Sequence, residues 1–167
     1  MKLILTVVLI GLSSLFAQQE SLKLPHKRPS NFEFEYKTYG GMYNFRSELK
    51  ISKDSCSYSQ IDQNVKTYKK FALSDEELDK FYQLLKENKF DNIDADLKKA
   101  AKPKTTVIND GGKVAAMSVL WDKKEIGHSE DLDYRSDSEK DEWKKNWDNI
   151  VNAVYLIIAN HTNIGQK

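Results

Sequence analysis

The sequence of 167 residues contains a single cysteine, three prolines and seven glycines. One cysteine cannot form a disulfide within the chain, so a disulfide-stapled scaffold is excluded. So few prolines and glycines exclude collagen-like and low-complexity chains. The sequence also lacks an excess of charge of either sign, because 26 Lys and Arg balance 25 Asp and Glu. This balance argues against a protein whose main partner is nucleic acid or an anionic membrane.

Long apolar stretches are missing as well, apart from one at the N-terminus. Lys2 supplies a positive charge, residues 3–16 are mostly apolar, and Ala17 is a small residue suited to cleavage before Gln18. This stretch is shorter than the roughly 20 apolar residues that a membrane span needs. Residues 1–17 are therefore predicted to be a signal peptide for export to the periplasm or the medium, with no membrane anchor after cleavage. An uncleaved N-terminal anchor is the alternative.

The remaining chain is predicted to form one domain. Residues 18–30 are polar and contain Pro25 and Pro29, which indicates an extended leader. The domain then covers 31–160, and residues 161–167 form a C-terminal tail.

Alternating apolar and polar residues predict antiparallel hairpins at the start of this domain. Phe32, Phe34 and Tyr36 share one face of a first strand, and a two-residue turn at Gly40-Gly41 would place Tyr36 opposite Phe45 of a second strand. Weaker alternation indicates a third strand over 56–61, with Tyr58 opposite Ile51, and a fourth strand over 65–71.

The apolar period then changes to that of a helix. Ser74 and Glu77 form a capping box, and the stripe that follows recurs at helical spacing as far as about Asn88. The apolar stripe of this first helix consists of Leu78, Phe81, Tyr82 and Leu85. A short second helix is predicted over 94–101, closed by Pro103.

A second group of hairpins is predicted downstream. Residues 105–108 and 113–121 flank the turn signal 109–112, and the second of these strands is apolar on both faces, which favours the middle of a sheet covered on both sides. A turn at Lys123-Lys124 would place Ile126 opposite Trp121.

The C-terminal part is predicted to be one long helix. Ser136 and Glu139 form a second capping box, and a stripe of apolar residues continues to about Asn160. The predicted fold class is therefore α+β, in which antiparallel hairpins form a sheet that is packed by one mid-chain helix and one long C-terminal helix. The apolar stripe of the predicted C-terminal helix consists of Trp143, Trp147, Ile150, Val154 and Ile157.

Several of these segments resemble small exported bacterial domains of unknown function. The phrase from Leu73 to Leu78, followed by Phe81-Tyr82 and Asn88 to Phe90, looks like their recurring helix, and the turn Asp110 to Gly112 is similar to one in their second sheet segment. The resemblance covers residues 32–160. It implies the fold class and export, and it brings no catalytic or binding residues with it.

Motifs for metal, cofactor or nucleotide chemistry are not found, so we predict no catalytic, cofactor-binding or metal-binding residues. His26, His128 and His161 are far apart in sequence, which disfavours a zinc site. The acidic stretch 130–137 lacks the glycine and the final glutamate of a calcium loop and is better explained as a solvated loop.

Nucleophilic catalysis has equally little support. Cys56 lacks the flanking signature of a cysteine hydrolase, and His128 and Ser129 are neighbours that would project from opposite sides of a strand. We expect Cys56 to be a partly buried, unreactive thiol.

Aromatic residues are the remaining candidates for binding. Tyr39, Met42 and Tyr68 lie off the inward alternation, and if exposed they are suited to contact a protein, peptide or glycan. The favoured interpretation is an exported, non-enzymatic binding or structural module of the cell envelope or medium. The alternative is a small secreted hydrolase whose site assembles from residues distant in sequence.

Overall fold

The computed structural model describes residues 22–40, 45–93, 113–131 and 142–162. These residues form one antiparallel sheet of six strands, in the order β4-β3-β2-β1-β5-β6, together with two α-helices. The α+β fold class is confirmed. The elements are β1 Glu33–Gly40, β2 Phe45–Ser52, β3 Cys56–Asp62, β4 Val65–Phe71, α1 Asp75–Glu87, a 3-10 turn Phe90–Asn92, β5 Lys113–Trp121, β6 Lys124–Asp131 and α2 Glu142–Thr162.

Several predictions fall on residues outside this description. They are the signal peptide 1–17, Met42, the short helix 94–101, the strand 105–108 with its turn 109–112, residues 132–137 of the acidic stretch 130–137, and the capping box of Ser136 and Glu139. The first two residues of that stretch belong to β6 and not to the predicted loop.

The pairing of β1 with β2 differs from the prediction. Tyr36 lies opposite Leu49 instead of Phe45, and Phe34 lies opposite Ile51. Because the difference is an even number of residues, every side chain keeps the predicted face of the sheet. The observed register buries both of these pairs, whereas Phe45 is only half-buried.

The charged residues on the opposite face explain this register further. Glu35 lies opposite Lys50, and Lys37 lies opposite Glu48, so each cross-strand pair joins opposite charges. The connection therefore spans residues 41–44 rather than the predicted two-residue turn.

The turn between β5 and β6 is also displaced by one residue from the prediction. Asp122 and Lys123 occupy its central positions with φ angles of 45° and 63°, the conformation of a type I′ turn, which favours Asp at such a position. As a result Ile126 lies opposite Val119 and not Trp121.

Between β2 and β3 a side chain sets the register. The Ser52 hydroxyl donates to the Ser55 carbonyl over 2.7 Å and accepts from the Ser55 N–H over 3.2 Å, which closes the loop. Tyr58 consequently lies opposite Leu49 rather than Ile51.

The first helix begins as the sequence predicts. The Ser74 hydroxyl accepts from the Glu77 N–H, and the Glu77 carboxylate accepts from the Ser74 N–H, so the capping box is complete. The predicted stripe is buried, and Phe81 packs edge-to-face on Phe34 at 4.9 Å between ring centroids.

The second helix runs antiparallel to the first, since Lys89 pairs with Glu142 at one end and His161 approaches Glu77 at the other. The apolar part of its buried stripe ends at Ile158 and Thr162 continues it, whereas the predicted Ile157 is only half-buried. A straight helix has 3.6 residues per turn, so a stripe extended at heptad spacing drifts off the buried face.

The N-terminal leader packs against α1 over its described part. Arg28 donates to Asp75 and Asp79 over 3.0 and 2.6 Å, and the Tyr82 hydroxyl donates to the Pro25 carbonyl over 2.8 Å. Burial raises the pKa of Tyr82 to about 12. These contacts make the leader part of the helical layer.

Candidate binding surface

Both helices lie on the same side of the sheet. Phe34 and Tyr36 of β1 contact α1 and α2, and Phe71 at the end of β4 stacks on His161 of α2. No helix or strand among the described residues covers the other side, which we call the open face. On β1 to β5 its members are the outward residues: Glu33, Glu35, Lys37 and Tyr39 of β1, Arg46, Glu48, Lys50 and Ser52 of β2, Ser57, Ser59 and Ile61 of β3, Lys66, Tyr68 and Lys70 of β4, and Val114, Ala116, Ser118 and Leu120 of β5.

This arrangement corrects one expectation about β5. The strand lies inside the sheet, between β1 and β6, as its apolar sequence predicts. Its helix side is buried, but Val114, Ala116 and Leu120 on the open face are only half-buried. Among the described residues, β5 is therefore covered by helices on one side only.

Four charges occupy the centre of the open face and neutralise one another. Lys37 contacts Glu35 and lies 3.3 Å from Glu48, while Lys50 lies 3.1 Å from Glu35 and 3.5 Å from Glu48. We call this group the charge quartet. Two cations and two anions in mutual contact give it no net charge.

The ion pairs of the quartet favour the ionised forms of Glu35, Lys37 and Lys50. Partial burial alone would raise the pKa of Glu35, but the hydrogen bonds from Lys37 and Lys50 outweigh it and leave that pKa below its ordinary value. The hydrogen bond to Glu35 in turn raises the pKa of Lys37 and of Lys50. The centre of the face thus has its own electrostatic partners already.

Exposed apolar side chains flank the quartet. Tyr39 is 47% exposed, Ile61 is 37% exposed and Tyr68 is 53% exposed. Tyr39, Arg46, Ile61 and Lys66 form one cross-strand row from β1 to β4, in which each residue lies opposite the next. Aromatic and apolar residues therefore alternate with cations along this row.

Two of the three candidate binding residues named from the sequence, Tyr39 and Tyr68, are exposed on the open face. Tyr39 and Tyr68 lie on the same face in adjacent rows, three strands apart. At about 4.8 Å per step, the strands that carry them are about 14 Å apart. Met42 lies outside the described residues.

From β2 to β4 the open face carries three cations that make no ion pair with a described residue. Arg46, Lys66 and Lys70 make no ion pair with any described residue. We did not predict these residues, nor Ile61, from the sequence. The sequence does contain a signal for Ile61. Residues two apart in a strand share a face, so Ile61 must lie on the same outward face as Ser57 and Ser59.

The histidines do not form a common site. His128 is buried, its Nε2–H donates to the Phe90 carbonyl over 2.6 Å, and its ring packs edge-to-face on Phe90. His161 stacks on Phe71, and His26 lies in the leader. Within the described ranges no three His, Cys, Asp or Glu side chains are grouped to hold a metal ion.

Cys56 is more deeply buried than the sequence predicts. The residue is 1% exposed, and its thiol donates to the Ser52 carbonyl over 3.6 Å. Burial raises the pKa of Cys56, and Glu77 contributes in the same direction. The thiol therefore stays protonated at neutral pH.

A shallow cleft of about 260 Å³ lies where β1 begins beside the β5–β6 turn. It is lined by Glu33, Glu125 and the turn residues Asp122 and Lys123, together with their neighbours. His128 does not line it, so histidine and carboxylates do not converge there.

The chain matches no model of a known protein family and none of the curated proteins. Over the residues that the structure describes, neither helix combines the length and apolar character needed to cross a membrane.

Proposed function

We propose that the protein is an exported, non-enzymatic binding module that holds its partner on the open face of the sheet. One observation carries the proposal: the helices cover one face, while the other displays Tyr39, Ile61 and Tyr68 beside a neutral centre. Exposed aromatic residues on a rigid sheet supply contact area at a small cost in conformational entropy.

The charge quartet supports this role. Its ion pairs are satisfied within the protein, so a partner covering the face need not supply a counter-charge for Glu35 or Glu48. Burying unpaired charges would oppose binding by several kcal/mol per ion, roughly, and internal pairing reduces that penalty. The quartet is thus suited to lie beneath a partner.

The binding role is tested by cross-linking the tagged full-length protein in its own envelope fraction and comparing variants. We expect Tyr39→Ala with Tyr68→Ala to lose the cross-linked species that the parent protein forms. Leu156→Ala is the control, because Leu156 is 63% exposed on α2, in the helical layer. Retention of the same species by the double variant would contradict the proposal.

Export is a separate part of the proposal and has its own test. The apolar stretch over 3–16 and the small residue Ala17 favour cleavage before Gln18. We expect the intact mass of the exported protein to correspond to a chain that begins at or near Gln18. A full-length, membrane-embedded species would refute this part.

A further inference from the structure

The β4 strand forms one edge of the sheet. It is the last strand in the observed order, and β3 is the strand that pairs with it among those described. An edge strand leaves alternate N–H and C=O groups unpaired, which an extended peptide can use by joining the sheet. Five of the seven β4 residues are exposed, and no described strand pairs with the outer side of β4.

Charge at this edge differs from charge in the quartet. The strand contains Lys66, Lys69 and Lys70 and no acidic residue. These lysines make no ion pair with a described residue, whereas Lys37 and Lys50 are both paired. The edge therefore has cations available for a partner.

The lysines also select which strand can pair with this edge. Like charges would oppose pairing with the β4 of a second copy, as edge lysines do in many sheets. The same charges favour a strand that carries carboxylates. The same lysines therefore oppose self-association and favour an acidic partner.

We propose that β4 accepts an acidic, extended peptide segment of a partner protein as an additional strand of the sheet. Side chains of the added strand at every second position lie on the open face, roughly 6.6–6.8 Å apart, beside Lys66, Tyr68 and Lys70. The favoured segment therefore has an acidic residue at its first and fifth positions, an apolar residue at its third position, and any residue at the second and fourth. This inference rests on the proposed binding role of the open face and names its partner.

The test uses a labelled peptide, acetyl-Thr-Glu-Thr-Val-Thr-Glu-Thr-amide, titrated with the full-length protein and followed by fluorescence anisotropy. We expect binding that weakens on the order of tenfold or more in the variant Lys66→Glu with Lys70→Glu. A peptide with lysine in place of both glutamates should bind that variant better than it binds the parent protein. Lys123→Glu with Lys124→Glu is the control, because both lysines are exposed at the β5–β6 turn and it should leave binding unchanged.

Two further peptides separate strand addition from general attraction to anions. A version with alternate backbone nitrogens methylated cannot complete the main-chain hydrogen bonds, and a version with the two glutamates adjacent cannot place both on one face. We expect both to bind at least several-fold more weakly. Equal binding of all three, or full displacement by dextran sulfate with no sequence preference, would overturn the proposal in favour of a general polyanion site.

Absence of binding by the first peptide would also overturn it. The proposed function would still stand if, in the cross-linking experiment, the double variant Tyr39→Ala/Tyr68→Ala no longer forms the species that the parent protein forms. Failure of this inference can therefore be distinguished from failure of the proposed function.

Discussion

Phe34 and Glu35 are adjacent in β1, and they face two different environments. Phe34 is fully buried between the sheet and the helices, where Phe81 and Phe90 pack against its ring. Glu35 lies on the open face, where Lys37 and Lys50 contact its carboxylate. The two faces are built from the same strands, but apolar burial stabilises one and mutual charge compensation organises the other.

This difference shows where the molecule has freedom to bind. Side chains on the helix face are committed to the core, and changing them changes stability. Side chains on the open face contribute little to folding, so Tyr39, Tyr68, Lys66 and Lys70 are available for another purpose. Substitutions that affect one face without the other can test this division.

The largest effect should come from removing an aromatic ring on the helix face. We expect Phe34→Ala to lower the free energy of unfolding by about 3–5 kcal/mol, because it leaves a cavity beside Phe81 and Phe90. Tyr39→Ala, on the open face of the same strand, should lower it by under about 1 kcal/mol. Denaturant midpoints measure both. Equal effects of the two substitutions would contradict the division between faces.

Thiol labelling compares the faces at adjacent positions of β3. Cys56 is 1% exposed with a raised pKa, so it should react only when the structure opens. Ser57→Cys in a Cys56→Ala background places a thiol on the open face instead. We expect it to react on the order of a hundredfold faster at neutral pH. Similar rates for the two thiols would show that the β3 faces are assigned wrongly.

The smallest effect concerns the charge quartet. The pKa of Glu35 is lowered in the folded state, so its contribution to stability is present above its ordinary pKa and is lost as pH falls through the folded value. We expect Glu35→Gln to lower the free energy of unfolding at pH 7 by under about 1 kcal/mol.

That difference should shrink towards pH 3, where the parent carboxylate is increasingly protonated, and in high salt, which screens the quartet. Denaturant midpoints at pH 7 and pH 3 give the comparison. A difference that grows on acidification would contradict the proposed role of the ion pairs.

Much of the fold could be predicted from local patterns. The alternation of Phe32, Phe34 and Tyr36 identified the buried face of β1, and the capping box of Ser74 and Glu77 located the start of α1. Both signals are short-range, and the structure confirms them. Registers were wrong, although the faces were right, because a shift by two or four residues leaves alternation unchanged.

The binding surface was harder to predict because it depends on the order of the strands. Tyr39 and Tyr68 were identified as off the inward alternation, but their common face follows only from the chain of pairings from β1 to β4. Arg46 and Lys66 join them through the same pairings, with Ile61 between. No local pattern in the sequence encodes such a row.

Site-specific photo-cross-linking tests the central claim most directly. A benzophenone amino acid is placed at Tyr68, which is 53% exposed on the open face, or at Tyr155, which is 52% exposed on α2. The two positions match in residue type and exposure and differ in the layer that carries them. In cells that produce the protein, we predict a discrete cross-linked species from position 68 and none from position 155. Cross-linking from position 155 alone, or equally from both positions, would contradict the assignment of binding to the open face.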